Sequence, residues 1–201
     1  MSPRQPRDPK RIPSRNRLSA RQNERGIAAL ELAVILPVLL VLIFGVIDFG
    51  RLLQAKLILA NVSREGASLA SRDIRSAAEL CILMLSSAQP LDLDAGGKVF
   101  ISRISAGMTA AAPEPVISSQ AVRGSLAVTQ AIRTGAPHLG LSPALYNHLM
   151  YRSENGTSDI AELTVVEVFY KFQPVTPLPR FVQNLLLEDG GGLVLGCKSV
   201  F

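Results

Sequence analysis

The sequence predicts an α+β fold, in which an N-terminal transmembrane helix continues into a long helix that packs on a small antiparallel sheet. Three observations support this class. An apolar run follows a basic leader, apolar side chains at helical spacing follow that run, and strand-like segments occur in the second half of the chain. Helices on one side of an antiparallel sheet give an α+β architecture. We divide the chain into a leader at 1–26, a transmembrane helix at 27–50 and an exported domain at 51–201.

Positive charge is concentrated in the leader. Residues 1–26 carry eight of the 21 basic side chains and only two of the 16 acidic ones, so the rest of the chain is close to neutral. A nucleic-acid-binding domain carries its positive charge on the folded part, and we therefore expect no nucleic-acid partner. Basic residues beside an apolar span keep that side of the membrane in the cytoplasm. A basic tail that binds nucleic acid or anionic lipid is the less common alternative.

The apolar run is long enough to cross a membrane. It has 16 uncharged residues from Leu32 to Ile47, or 21 residues from Ile27 if Glu31 is included. The longer run spans about 31 Å, close to the roughly 30 Å thickness of the hydrocarbon core. Glu31 must then lie near the cytoplasmic interface, because a charge at the bilayer centre costs about 2.5–3.5 kcal/mol. A cleavable secretory signal is the alternative, although its apolar core would be shorter.

The exported domain is predicted to begin with a continuation of this helix. Apolar residues recur at helical spacing from Leu52 to Ser87, which is typical of a helix with one buried face. Small residues would form a narrow stripe that allows a sheet or a second helix to approach closely. These residues are Ala60, Ser63, Ala67 and Ala70.

Two charged residues follow the apolar run on the same helix. Asp48 and Arg51 are three residues apart, a spacing at which opposite charges meet on one helix face. We expect an ion pair there, worth a few tenths of a kcal/mol.

The later part of the chain is predicted to contain strands and short helices. The elements are a strand at Lys98–Ser105, a helix from Ser142 to Met150, a strand at Glu162–Phe172, a short helix at Arg180–Leu187, a flexible link at Gly190–Gly192 and a strand at Leu193–Phe201. Ser142 suits the cap of its helix and Pro143 the first helical position. Regular alternation makes Glu162–Phe172 the clearest strand. Residues 107–140 show no pattern that assigns an element.

The two cysteines are far apart in the sequence. Cys81 lies near the end of the predicted long helix, and Cys197 lies in the last strand. In an oxidising compartment outside the cytoplasm, an even number of cysteines favours a disulfide. A bridge between these two would close a long loop and tie the C-terminus to the helix. Two separate buried thiols are the alternative.

No pattern of residues indicates catalysis. His138 and His148 are the only histidines, and neither has a Cys or a carboxylate beside it at metal-ligand spacing. Gly190–Gly192 lacks the Lys and the Ser or Thr of a phosphate-binding loop. We predict that the protein is not an enzyme and uses no cofactor, no metal and no small-molecule substrate, with an enzyme of unknown mechanism as a remote alternative.

Four segments resemble the TadE-like family of tight-adherence (Flp) pilus assembly proteins. They are Gly26–Pro37 (GIAALELAVILP), Phe44–Arg51 (FGVIDFGR), Ala60–Ala67 (ANVSREGA) and Val168–Pro177 (VFYKFQPVTP). The resemblance is dense over residues 24–72 and isolated near the C-terminus. It implies a pilin-like fold for the exported domain and a function as a minor pilin or pseudopilin.

The resemblance also implies a processing event. A prepilin peptidase would cut after Gly26, where the absence of a side chain leaves the backbone free to extend, and Ile27 would become the new N-terminus. Glu31 would then pair with the terminal ammonium of a neighbouring subunit and select the correct stagger. The implied location is the bacterial cytoplasmic membrane, crossed once with the N-terminus inside. The implied partners are the membrane, the peptidase, other pilin or pseudopilin subunits and the pilus assembly machinery.

Two functions of different class therefore stay open. The first is a processed subunit that primes or caps a pilus. The second is an uncleaved single-pass scaffold of a secretion or envelope complex, in which Gly26 has no special role.

Overall fold

The computed structural model describes residues 16–72, 75–152, 156–176 and 193–201, with side chains from residue 27 onward. Two predictions lie outside the described residues, namely the short helix at Arg180–Leu187 and the link at Gly190–Gly192. The chain divides into two compact units, one ending at Val46 and the other beginning at Ile47.

Four α-helices are present among the described residues. They are α1 at Asn16–Ser71, α2 at Ala77–Ser87, α3 at Leu93–Gly96 and α4 at Pro143–Leu149, with a short 3₁₀ helix at Pro137–Gly140. In the described chain, α1 is the one helix long and apolar enough to cross a membrane, and none of its most apolar stretch is buried. A run of this length and composition is what crossing a bilayer requires.

The second unit is built on a four-stranded antiparallel sheet. Its strands are β1 at Gly97–Ser105, β2 at Val116–Arg123, β3 at Glu162–Phe172 and β4 at Leu193–Val200, in the spatial order β2-β1-β3-β4. Val99 of β1 lies opposite Val168 of β3, which in turn lies opposite Cys197 of β4. Together with the long apolar helix, this sheet confirms the predicted α+β fold.

Helices cover one face of the sheet. Its fully buried core includes Leu59 from α1, Leu80 and Cys81 from α2, Val99 and Ile101 from β1, and Val166 and Val168 from β3. Each aliphatic side chain removed from water in this way contributes about 1.5–3 kcal/mol. This core attaches the C-terminal part of α1 to the sheet.

The opposite face of the sheet is covered as well. Ile104 of β1 and Leu163 and Val165 of β3 are buried there with Ile132, Leu141 and Leu149. Alternation along β3 predicts one consistently apolar face, yet its residues from Leu163 to Val168 are all buried. The second layer comes largely from residues 106–160, including the stretch that the sequence pattern left unassigned.

The predicted helix from Leu52 to Ser87 is wrong in one respect, because it is two helices. Ser76 caps α2 through a reciprocal pair of hydrogen bonds: its hydroxyl accepts from the Glu79 amide at 3.3 Å, and the Glu79 carboxylate accepts from the Ser76 amide at 3.3 Å. Such a capping box satisfies two backbone donors that a helix start leaves unpaired. It therefore stabilises the start of α2 within the segment predicted to be one continuous helix.

The other predicted elements within the described residues are found close to their expected bounds. β1, β3 and β4 correspond to the three predicted strands. Ser142 caps α4, where its hydroxyl accepts from the Leu145 amide at 3.4 Å. Residues 107–140 contribute β2 and the 3₁₀ helix. β2 is an edge strand with mostly exposed side chains, so it lacks the alternation that reveals a half-buried strand.

Candidate assembly site on the first helix

The predicted processing residues, Gly26 and Ile27, lie within α1. The Ile27 side chain is 64% exposed. Glu31 follows one turn later and is also exposed. Positions four residues apart share a helix face, so the backbone nitrogen that cleavage would free lies about 6 Å along the axis from Glu31. Cleavage at Gly26 stays a prediction.

Farther along α1, small and aliphatic residues form the stripe that docks on the sheet. The buried positions are Ala55, Leu59, Val62, Ser63, Gly66, Ala67 and Ala70. This spacing of three and four residues keeps one helix face against the sheet. Three of the four small residues in the predicted stripe are buried as expected, whereas Ala60 is only partly buried.

Ser63 supplies a polar contact within this apolar interface. Its hydroxyl lies 2.8 Å from the Ser199 hydroxyl on β4 and 3.4 Å from the Val166 carbonyl oxygen on β3. Ser63 is fully buried, and a buried hydroxyl without a partner would be costly. The contact therefore favours one register of the helix on β3 and β4.

Gly66 leaves room on α1 for the Met84 side chain of α2. A Cβ atom at this position would overlap the Sδ and Cε atoms of Met84. Contact with Met84 thus explains the glycine at position 66 of the Arg64-Glu65-Gly66 segment.

The end of α1 is held by a strand residue. Arg103 of β1 donates from Nη2 to the carbonyl oxygen of Ala70 at 3.0 Å. The last carbonyls of a helix lack intrahelical partners and carry partial negative charge, so a guanidinium stabilises this end.

Asp48 joins two segments that are far apart in the sequence, 44–51 and 168–177. Its carboxylate accepts hydrogen bonds from the Val175 amide at 3.2 Å and the Thr176 amide at 3.5 Å, and it also accepts from the Thr176 hydroxyl. No ion pair forms between Asp48 and Arg51, so that prediction is wrong. Two backbone donors and a hydroxyl compete better for the carboxylate than one exposed guanidinium, whose pairing in water is worth little. We call this set of contacts the Asp48 clasp.

The predicted disulfide is not formed, because Cys81 and Cys197 are both free thiols. α2 packs against β1 and β2, whereas Cys197 lies on β4, two strands away from β1. Adjacent strands are about 4.8 Å apart, while a disulfide needs Cα atoms within about 4.4–6.8 Å. The Cys197 thiol instead faces the Lys56 carbonyl oxygen at 3.9 Å. Burial raises the pKa of the Cys81 thiol to about 11, against a smaller lowering effect of Arg123.

His148 has a carboxylate neighbour that sequence spacing did not suggest. Its Nδ1 lies 2.8 Å from Oδ2 of Asp159, and Nη2 of Arg152 lies 3.5 Å from the same oxygen. The hydrogen bond with His148 is the main cause that lowers the pKa of Asp159. This exposed contact ties the end of α4 to the chain that enters β3.

A buried carboxylate on the second sheet face was also missed by sequence reasoning. Glu167 is 2% exposed, and its two oxygens accept from the Ala131 and Ile132 amides at 3.1 and 3.2 Å. The donors come from a stretch to which the sequence pattern assigns no element. The only sign of this contact in the sequence is therefore a charged residue within an apolar strand. Glu167 attaches the covering segment to β3.

Comparison with known proteins bears on α1 in particular. Residues 26–68 match the family model described as TadE-like protein. No curated protein and no solved structure matches the chain. The match includes Gly26, Glu31, Asp48 and the docking stripe as far as Ala67. It confirms the resemblance for the first three of the four segments, whereas the segment 168–177 lies outside the match. Residues 26–68 of this chain are TadE-like, and that family is associated with assembly of the tight-adherence pilus.

Proposed function

We propose that this chain is a minor pilin or pseudopilin of a type IVb tight-adherence (Flp) pilus, cut by a prepilin peptidase between Gly26 and Ile27. The observation that carries the proposal is the TadE-like match, which begins at Gly26 and includes Glu31. The proposed role is assembly of a fibre. It requires no catalysis, no cofactor and no small-molecule substrate.

The helix around Gly26 is suited to processing. The Gly26–Ile27 bond lies inside α1, so the backbone has to unwind locally to be cut. Glycine is about 1 kcal/mol less favourable than alanine in a helix interior, which lowers the cost of unwinding at this position. It also has no side chain to obstruct a peptidase.

The charge distribution supports an orientation with the leader inside. The leader holds the excess positive charge, and such segments stay on the cytoplasmic side of the bacterial membrane. The sheet domain then lies outside, anchored by the apolar part of α1. Removal of residues 1–26 leaves a nearly neutral subunit on an apolar helix.

Glu31 provides the proposed assembly contact. After cleavage, an ammonium on Ile27 and the carboxylate of Glu31 lie one turn apart on one exposed face. An unpaired charge in low-dielectric surroundings is strongly destabilising. A pair between Ile27 of one subunit and Glu31 of a neighbour therefore selects one stagger between the two helices.

Co-expression of the full chain with a prepilin peptidase tests the processing step. N-terminal sequencing is expected to find Ile27 first in wild type and the intact leader in Gly26→Arg. Gly50→Arg is the matched control, because a Cβ atom added at Gly50 meets no atom within 4 Å. This variant is expected to be cut normally.

A second pair of variants separates processing from assembly. Glu31→Gln is expected to be cut but to lose co-purification with other pilus subunits. If wild type keeps its leader in the presence of the peptidase, the uncleaved scaffold is the better account. If Glu31→Gln assembles as wild type does, the proposed pairing is wrong.

A further inference from the structure

A small recess lined by both polar and apolar residues lies beside the Asp48 clasp, just beyond the apolar run. It has a volume of about 110 Å³ and is lined by residues that include Arg51, Gln54, Tyr170 and Gln173. A volume of this size holds several water molecules and is large enough for a phosphate group. All four of these side chains can donate hydrogen bonds, and only Arg51 is charged.

Local geometry brings these donors together. Arg51 lies one turn before Ala55 and on the same helix face, so it extends the docking stripe toward the apolar run. Tyr170 lies near the end of β3, and Gln173 directly follows the strand. The clasp fixes Val175 and Thr176 to α1 and thereby holds the preceding Gln173 beside Arg51.

The donors have no partner within the part of the chain that the structure describes. Among the described residues, no group forms a hydrogen bond or ion pair with the side chains of Arg51, Gln54 or Gln173. The nearest carboxylate along the helix is Asp48, and its oxygens are occupied by the clasp. A guanidinium with neighbouring amide donors matches the geometry and charge of a phosphate.

The position of the recess indicates where the phosphate comes from. Arg51 is four residues beyond Ile47, the last residue of the apolar run, and therefore about 6 Å farther along the helix axis. If α1 spans the membrane as proposed above, this depth is that of the lipid headgroups, where Tyr and Arg side chains can act as anchors.

We propose that the recess binds a phosphate group, supplied by a phospholipid headgroup at the outer surface of the membrane. Arg51 supplies the charge, and Gln54, Tyr170 and Gln173 supply further hydrogen bonds. The bound lipid fixes the depth and rotation of α1 before assembly. The lipid source rests on the proposed membrane anchoring, whereas the recognition of phosphate rests on the recess alone.

Native mass spectrometry of the full chain, purified in detergent without phosphate, tests the proposal. The probes are phosphatidylglycerol, a digalactosyl diacylglycerol that has no phosphorus, and inorganic phosphate. Wild type is expected to retain one phosphatidylglycerol and no galactolipid. Arg51→Gln is expected to bind the phospholipid about tenfold more weakly or worse, because a charge-assisted hydrogen bond is lost. Arg64→Gln, an exposed arginine on the same helix, is the matched control and is expected to bind as wild type does.

The outcomes distinguish the sources of the phosphate. Binding of inorganic phosphate that depends on Arg51, without retention of lipid, supports the recess but assigns it to free phosphate. Equal retention by wild type and both variants, or equal retention of the galactolipid, overturns the proposal. Gln54→Leu is a second test, expected to weaken binding while the burial of the Cys81 thiol reports an intact fold. A wild-type chain that does not associate with membranes contradicts the proposed anchoring, and the inorganic phosphate measurement still tests the recess.

Discussion

Replacement of Leu59 by alanine tests whether α1 is docked on the sheet through its buried stripe. Leu59 is 0% exposed in the core shared by α1, α2 and the sheet. Leu→Ala changes at such sites cost about 2–5 kcal/mol, because transfer energy is lost and a cavity remains. Leu57→Ala is the matched control, since Leu57 is 65% exposed on the same helix, and it is expected to change stability by less than about 0.5 kcal/mol.

Cys81 reports this change without an introduced probe. Its thiol is buried in the same core as Leu59, and burial raises its pKa to about 11, so alkylation requires transient opening. In a Cys197→Ser background, Leu59→Ala is expected to speed Cys81 alkylation about 30-fold or more. This factor corresponds to a stability loss of about 2 kcal/mol, since 1.36 kcal/mol corresponds to a factor of ten. Equal rates for Leu59→Ala and Leu57→Ala would refute the docked arrangement.

Three further predictions concern separate contacts. Asp48→Ala removes the clasp and is expected to speed amide hydrogen exchange at Val175 about tenfold, because about 1.5 kcal/mol of charge-assisted bonding is lost. Glu167→Gln puts an amide donor against a backbone donor and is expected to lower the free energy of unfolding by about 1–3 kcal/mol, with faster exchange at Ile132. Because the folded pKa of Cys81 is raised to about 11 from 9.0, the unfolded state loses this proton first. Stability is therefore expected to fall as pH rises from about 9 to 11, and Cys81→Ala is expected to remove that decline in urea titrations.

Each of these predictions has a result that contradicts it. Unchanged exchange at Val175 in Asp48→Ala would show that the clasp does not hold this segment. A Glu167→Gln protein as stable as Glu162→Gln, a change at the exposed end of β3, would show that the two amides do not depend on the carboxylate. If the free energy of unfolding falls equally with rising pH in wild type and Cys81→Ala, groups other than Cys81 cause the fall.

The sequence predicts the parts of the fold that depend on local pattern. The long apolar helix follows from length and apolar composition, and β3 follows from alternation and bounding prolines. The break between α1 and α2 was missed because apolar spacing continues across it. The capping box of Ser76 and Glu79 was nevertheless readable, and it marks the true start of α2.

The sequence fails where a side chain has a distant partner. Helical spacing predicts that Asp48 pairs with Arg51, because residues three apart on a helix are neighbours. The partners of Asp48 are instead Val175 and Thr176. Glu167 meets backbone donors from a segment that no pattern assigns. The predicted disulfide was wrong for the same reason. The number of cysteines and the compartment do not specify how far apart two thiols lie on the folded sheet.

The central claim is that α1 carries a processed N-terminus. The most direct measurement is the intact mass and N-terminal sequence of the chain purified from the membranes of its native host. The account predicts a single species that begins at Ile27 and lacks residues 1–26. A species that retains the leader through Gly26 would contradict it and favour an uncleaved membrane scaffold.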